Sequence, residues 1–195
     1  MQEVNLRYLI VDLEATCWEK GSVPSRMETI EIGTVLLATA KGPIEREFDT
    51  MVRPVAEPIL SAFCTALTSI RQHEVDAAET FPNALQRMLD WVGDAMPFTW
   101  CSWGAYDLKQ LRSDCRRHRM ALPAVLENHI NLKREFARLI GIKPPTMKQA
   151  LRLMSIRLEG RHHRGIDDAR NIAKLACWIL PRLLDGDAAD DSPRT

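Results

Sequence analysis

The 195-residue chain has no Cys-x-x-Cys pair, and its five cysteines (Cys17, Cys64, Cys101, Cys115 and Cys177) are odd in number and irregularly spaced. That pattern argues against both a zinc ribbon and a disulfide scaffold. The chain also has no excess charge: Lys+Arg and Asp+Glu each number 26, which excludes a uniformly basic coat but leaves room for a locally basic face. No apolar run reaches membrane-spanning length, and there is no repeat or low-complexity segment. Acidic residues interrupt the N-terminal MQEVNLRYLIVDLEAT, so it lacks the basic-then-apolar order of a secretory signal. Free thiols fit a reducing compartment, and the expectation is a soluble, cytoplasmic protein without membrane contact. What is present is ordinary: 46% hydrophobic and 27% charged residues exclude wholesale disorder, collagen and coiled coil. The length suits one domain able to bury its own core.

Tyr8-Leu9-Ile10-Val11 is a β-rich apolar run that continues into Asp12-Leu13-Glu14, and reads as a buried strand with two carboxylates at its C-terminal end. Thr29 to Leu37 and Ile44 to Arg53 read as two more strands, and the short links suggest an antiparallel meander. Ile59 to Val75 changes to short helical turns, and Phe81 to Val92 has helical spacing with Pro82 near its start. Phe98 to Ser102 is a short strand, Tyr106 to Met120 a helix, Ile130 to Leu132 a strand and Thr146 to Met154 a short helix. Gly165 to Leu184 is a long helix expected to stop at Gly186, with a polar, flexible tail over 187–195. Three strands followed by alternating helix and strand predict one mixed α/β sheet flanked by helices.

Charge is uneven along the chain. Lys109 to Arg164 holds 14 Lys/Arg against 4 Asp/Glu, a net of about +10, so the remainder is acidic. Most charge runs are solvated helix faces. Here Arg116-Arg117-His118-Arg119 and Arg161-His162-His163-Arg164 flank acidic residues, which favours a phosphate-bearing ligand.

Asp12 and Glu14 lie two apart on a strand and therefore share a face. Carboxylates ending an apolar strand are costly to bury unpaired, and a divalent cation with oxygen ligands would relieve that cost. Alone, a D-x-E pair reads better as a strand end meeting water. The final helix adds weight. Ile166, Ala169, Ile172, Ala173, Ala176, Ile179, Leu180 and Leu183 form its apolar stripe. At about 100° per residue, Asp167 falls opposite the stripe and Asp168 at its edge, roughly 80° from the centre. Asp168 is thus expected where helix meets sheet, and Asp167 in water. Asp107 alone reads as a first-turn acid favoured by the helix dipole. A histidine beside such a cluster, His162 or His163, would suit a general base.

These residues resemble those of a known family. Asp12-Leu13-Glu14-Ala15-Thr16-Cys17-Trp18-Glu19 is similar to the first motif of the DEDDh 3′→5′ exonucleases, in the branch of the histone-mRNA and ERI-type nucleases. Val52-Arg53-Pro54, Leu60-Ser61-Ala62-Phe63-Cys64 and Leu67-Thr68-Ser69-Ile70 resemble the family's stretch between its first two motifs. Ser102-Trp103-Gly104-Ala105-Tyr106-Asp107 resembles the second motif, and Gly160 to Ala169 the third with its H-x4-D spacing, which selects His163 and Asp168. The similarity spans roughly residues 7 to 184, with one departure at Ser69, where the family commonly has Gly.

The resemblance implies an RNase H-like mixed five-stranded sheet, with an exonuclease domain over 1–186. It implies two Mg²⁺ ions, replaceable by Mn²⁺, held by Asp12, Glu14, Asp107 and Asp168, with His163 taking the proton from the attacking water. Single-stranded RNA or DNA would be shortened from the 3′ end, releasing nucleoside 5′-monophosphates. Glu14, Ala15, Thr16, Leu67, Ile70, Trp103 and His163 would bind the terminal nucleotide, though for Leu67 and Ile70 core packing is an equally ordinary role. Trp18 and Trp103 would offer stacking surfaces. Two readings compete: a nucleic-acid-binding module without catalysis, and a metal-dependent endonuclease on a related fold. The chain is not expected to carry the additional nucleic-acid-binding module of some relatives.

Overall fold

The computed structural model of the chain describes residues 6–21, 23, 25–95 and 97–190. Strands β1 (Arg7–Ala15), β2 (Thr29–Leu37) and β3 (Ile44–Met51) form the expected antiparallel meander. Helices α1 (Ala62–Thr68), α2 (Gln72–Asp76) and α3 (Phe81–Val92) lead to β4 (Phe98–Ser102), which pairs parallel to β1. Helix α4 (Tyr106–Arg117) then leads to β5 (His129–Asn131), parallel to β4, and α5 (Leu132–Ile140), α6 (Met147–Leu153) and α7 (Gly165–Asp190) complete the order. The sheet is five-stranded and mixed, with strand order β3-β2-β1-β4-β5.

Strand parity divides the core. Leu9, Val11 and Leu13 face α3 and α4, packing with Leu85, Met88, Val92 and Leu111. Tyr8 and Ile10 face the other way, with Val35 and Leu37, onto Ile172, Ala176 and Ile179 of α7 and Phe136 of α5. Asp12 and Glu14 continue the Tyr8/Ile10 parity, so they project on the face that α7 covers. Pairing of β4 with β1 ends at Ile10↔Cys101, leaving the acidic end of β1 open on that edge.

Helix α7 reaches the sheet through backbone contact. A Cβ on Gly33 of β2 would overlap the Gly165 carbonyl carbon and the Ile166 nitrogen. Glycine in the middle of a buried strand marks such an approach. Glu31, fully buried on the same face of β2, accepts the Gly165 N–H at 2.8 Å and bonds the Arg164 guanidinium at 3.0 Å. The first turn of α7 is thereby fixed over the end of β1.

Several expected boundaries shift. Helix α5 departs from the expected strand over Ile130 to Leu132, since Leu132 already starts a helix. Its cap was visible, since the Asn131 side chain accepts the Arg134 N–H at 3.0 Å and Gly141 ends the helix in the left-handed region. Helix α4 ends at Arg117 rather than Met120, because Arg119 takes a positive φ of 54°. Strand β3 ends at Met51, two residues before Arg53. Helix α7 does not stop at Gly186: the alanine-rich 187–190 stretch carries it to Asp190, a Gly inside a helix costing only about 1 kcal/mol. The rest of the expected tail, 191–195, lies outside the described residues. Among the described residues, no helix is long and apolar enough to cross a membrane.

Candidate active site

Three carboxylates meet where β1 ends and α7 begins. Oxygens of Asp12, Glu14 and Asp168 all lie within 4.8 Å of one another. Asp12 and Glu14 arrive by strand parity, and Asp168 by the first turn of α7. Glu14 and Asp168 are 8% and 4% exposed, so water screens them poorly. Asp167, its neighbour in sequence, turns outward and pairs with Arg170 at 3.0 Å.

Asp107 joins from another direction. It is buried in the first turn of α4, and its Oδ1 accepts the Leu13 N–H at 3.2 Å, on the edge of β1 that β4 leaves open. It stands outside the group of three mutually close carboxylates but near enough to raise the Asp12 pKa. The structure thus brings all four acids together, with three in direct juxtaposition and one beside them.

Their electrostatics are those of anions lacking a counterion. Among the described residues, no Lys or Arg forms an ion pair with any of the four; the His162 ring lies against Asp168, with Nδ1 2.8 Å from Oδ2. Burial and then the Asp107 charge hold Asp12 well above the carboxylate range. Burial, Asp168 and Glu31 push Glu14 up to about 9. Burial raises Asp107 to about 6 against hydrogen bonds from Ser102 and Leu13 that favour its ionised form. A divalent cation with carboxylate ligands removes both the repulsion and the desolvation cost, so the donor set fits such an ion.

The two histidines take different positions. His162 is bonded through its ring to the Asp168 carboxylate. His163 donates its backbone N–H to Asp168 Oδ2 at 3.0 Å and is held at φ 65°. Its ring lies 3.9 Å from that of His162. Burial and then the His162 charge lower the His163 pKa, leaving a neutral imidazole near pH 7. His162, His163 and Asp168 also form a group of close ligand atoms.

The nucleotide-binding candidates separate. Ala15 and Ile70 lie in an apolar cluster with Cys17, Met27 and Cys64, and Ile70 is fully buried. Thr16 is buried too, its Oγ1 accepting the Glu28 N–H at 2.9 Å. Leu67 is 36% exposed. Trp103 packs against Phe136 and donates its indole N–H to the Pro145 carbonyl at 3.2 Å. The Arg26 guanidinium lies 3.8 Å over the Trp18 ring. Ser69 takes a left-handed conformation at φ 64°, ψ 6° as the C-cap of α1, a backbone site suited to Gly. Arg117, part of the basic run expected to meet phosphate, is instead committed to Asp114 at 2.8 Å and to the Met27 and Ser25 carbonyls.

Sequence reading missed the supports of the site. Glu31 and Gly33, an acid and a glycine inside the apolar TIEIGTVLL, carried a signal of their own. The support beneath Asp107 carried none. Ser102 Oγ bonds Asp107 and lies 2.9 Å from Nε2 of His129, on β5, two strands over from the first motif on β1. Burial, reinforced by Arg134 and Arg112, pushes His129 down to about 4, so it is neutral and orients Ser102 as a dipole.

The Exonuclease (RNase_T) family model matches residues 9–176. The mouse ERI1 exoribonuclease 2 is 36% identical over 195 aligned residues, covering 89% of this chain and 28% of that protein. Human 3′-5′ exoribonuclease 1 is 34% identical, covering 88% of this chain and 51% of that protein. The chain therefore spans about a quarter to a half of these two curated relatives. Among solved structures, the nuclease domain of 3′hExo, a DEDDh family member bound to rAMP, superposes with a TM-score of 0.84 at 30% identity, covering 93% of this chain and 95% of that one.

Proposed function

Because the chain belongs to the Exonuclease (RNase_T) family, we propose that it is a metal-dependent 3′→5′ exonuclease acting on single-stranded RNA or DNA and releasing nucleoside 5′-monophosphates. The observation that carries this reading is the convergence of Asp12, Glu14 and Asp168, with Asp107 beside them and, among the described residues, no Lys or Arg paired with any of the four. Asp12, Glu14 and Asp168 would hold the divalent cation, with Asp107 beside Asp12. Mg²⁺ is the ion of choice for oxygen donors facing a phosphate, with Mn²⁺ a substitute, and as a bound pair such ions supply an activated water and a stabilised leaving oxygen.

The protein's own groups do the rest. His163, neutral near pH 7, takes the proton from the attacking water. His162, on the Asp168 carboxylate, keeps that ligand oriented. Ser102 and His129 orient Asp107 in the same manner. Partly exposed Leu67 and Trp103 border the terminal nucleotide, while Ala15, Thr16 and Ile70 support that surface from below.

The test is incubation of a 5′-labelled 12-nucleotide single strand with the protein and Mg²⁺. A ladder shortening from the 3′ end, lost in Asp12→Ala and in EDTA, is the expected result. Internal cuts would mean an endonuclease, and retained binding without cleavage a silent binding module; either would overturn the proposal. Matched RNA and DNA strands in the same assay reveal which is preferred.

A further inference from the structure

We propose that the exposed face of α6 and the turn before it form a track for the single strand upstream of its 3′ end, with Lys143, Lys148 and Arg152 neutralising successive phosphates. The inference deepens the exonuclease reading and rests on it. It begins with helical spacing. Met147, Ala150 and Leu151 are the buried face of α6. Lys148 and Arg152, and beside them Gln149 and Leu153, fall four apart and make two parallel rows on its exposed side.

These rows border two grooves. One, of about 550 Å³, is lined by Ile142, Lys143, Pro144, Gln149, Arg152 and Leu153. The other, of about 350 Å³, is lined by Lys148, Leu151, Arg152, Ile156 and Leu158. Arg152 belongs to both, so the grooves adjoin. Their floors combine aliphatic and proline surface, including Leu153 at 59% and Ile142 at 39% exposure, with cations at the rim. That is the composition that accepts bases against apolar surface and phosphates against charge.

The charges are free to act. Among the described residues, Lys143, Lys148 and Arg152 have no acidic partner, whereas Arg117, Arg134, Arg138 and Arg164 of the same basic half are each in ion pairs. The track also joins the catalytic end. Pro145, in the turn before α6, accepts the indole N–H of Trp103 from the second motif. A strand whose terminal phosphate lies at the four acids can therefore continue past Trp103 and Pro145 onto α6.

The experiment compares Lys143→Gln/Arg152→Gln with Lys41→Glu, an exposed turn residue remote from the site whose substitution changes net charge by the same amount. Binding of a 5′-fluorescein single-stranded 12-mer RNA is followed by anisotropy in EDTA across a KCl series. The double variant should bind about tenfold or more weakly at 0.1 M salt, and its log–log salt slope should fall by about 1.4, two single-strand phosphate contacts. Lys41→Glu should keep the wild-type affinity and slope. Melting temperatures of all three verify folding. Equal affinities and slopes for the double variant and Lys41→Glu would overturn the track, including the case in which the grooves serve a protein partner. Cleavage by wild type in Mg²⁺, measured separately, tests the exonuclease reading, so a failure of one is distinguishable from a failure of the other.

Discussion

Gly33→Ala places one methyl group between β2 and the start of α7, where the added carbon would overlap the Gly165 and Ile166 backbone. Carbon atoms pack about 3.5–4.0 Å apart, so the helix start must retreat by roughly an ångström or more. Neither side yields easily: β2 is buried along its whole length, and Glu31 ties it to the Gly165 N–H and Arg164. Overpacking of this kind costs about 1–3 kcal/mol and at rigid sites more. At about 3 kcal/mol, a chain this long should melt roughly 6–12 °C lower. The same retreat carries Asp168 away from Asp12 and Glu14, and a misplacement of about 1 Å near a reacting centre costs about 100-fold in rate. Gly165→Ala is the control. Its methyl meets Gly33 N at 3.0 Å and Asp12 O at 3.1 Å, contacts that need the backbone to give by only a few tenths of an ångström. Differential scanning fluorimetry and the 12-mer cleavage assay should rank wild type and Gly165→Ala close together, with Gly33→Ala well below. A Gly33→Ala protein melting within 2 °C of wild type with comparable turnover would refute the backbone docking of α7.

In EDTA, the fold should lose stability as pH rises from about 4.5 towards 9, since folded Glu14 holds its proton up to about 9 and Asp12 is raised likewise, while the unfolded chain releases both near 4–5. Melting scans at pH 5 and 8.5 check this; Glu14→Gln should flatten the trend, and Mg²⁺ should raise the melting temperature most at the higher pH, where its ligands ionise. His163→Ala should slow cleavage by about two to four orders of magnitude, the scale of a general base. The wild-type acid limb should have its midpoint below 6.5, because burial and His162 lower the His163 pKa and only the neutral imidazole accepts a proton; the larger loss in His162→Ala instead would reverse the assignment. Ser69→Gly should stabilise by up to about 1 kcal/mol, since Ser69 sits at φ 64° without a compensating long-range contact, and a lower melting temperature would contradict that.

What was legible in the sequence followed from short-range periodicity. Period two put Asp12 and Glu14 on one face of β1, and period 3.6 separated buried Asp168 from ion-paired Asp167. The meander and the βα alternation came from the same signals together with turn residues. Motif spacing added His163 and Asp107, which no local pattern distinguished from a loop histidine and a first-turn acid. Interactions that exist only across the fold stayed hidden. His129 and Ser102 are 27 residues apart and meet only because β5 pairs with β4. Arg117 looked like part of a phosphate patch because its partners, Asp114 and the Met27 and Ser25 carbonyls, lie partly on a distant loop. Ile70 reads both as a ligand contact and as core, and the fold places it fully buried in the Cys17–Cys64 cluster. The Asn131 cap and Gly141 were legible and overlooked, since the strand at Ile130 drew the boundary past the helix start.

Under the proposed function, Asp12, Glu14, Asp107 and Asp168 hold divalent cations. Diffraction from crystals soaked in Mn²⁺, recorded at the manganese absorption edge, tests it most directly. Anomalous density in contact with Asp12, Glu14 and Asp168, absent from crystals of Asp12→Ala, is the predicted result. Full-occupancy manganese elsewhere, with these carboxylates bare at saturating Mn²⁺ and pH 8, would contradict it.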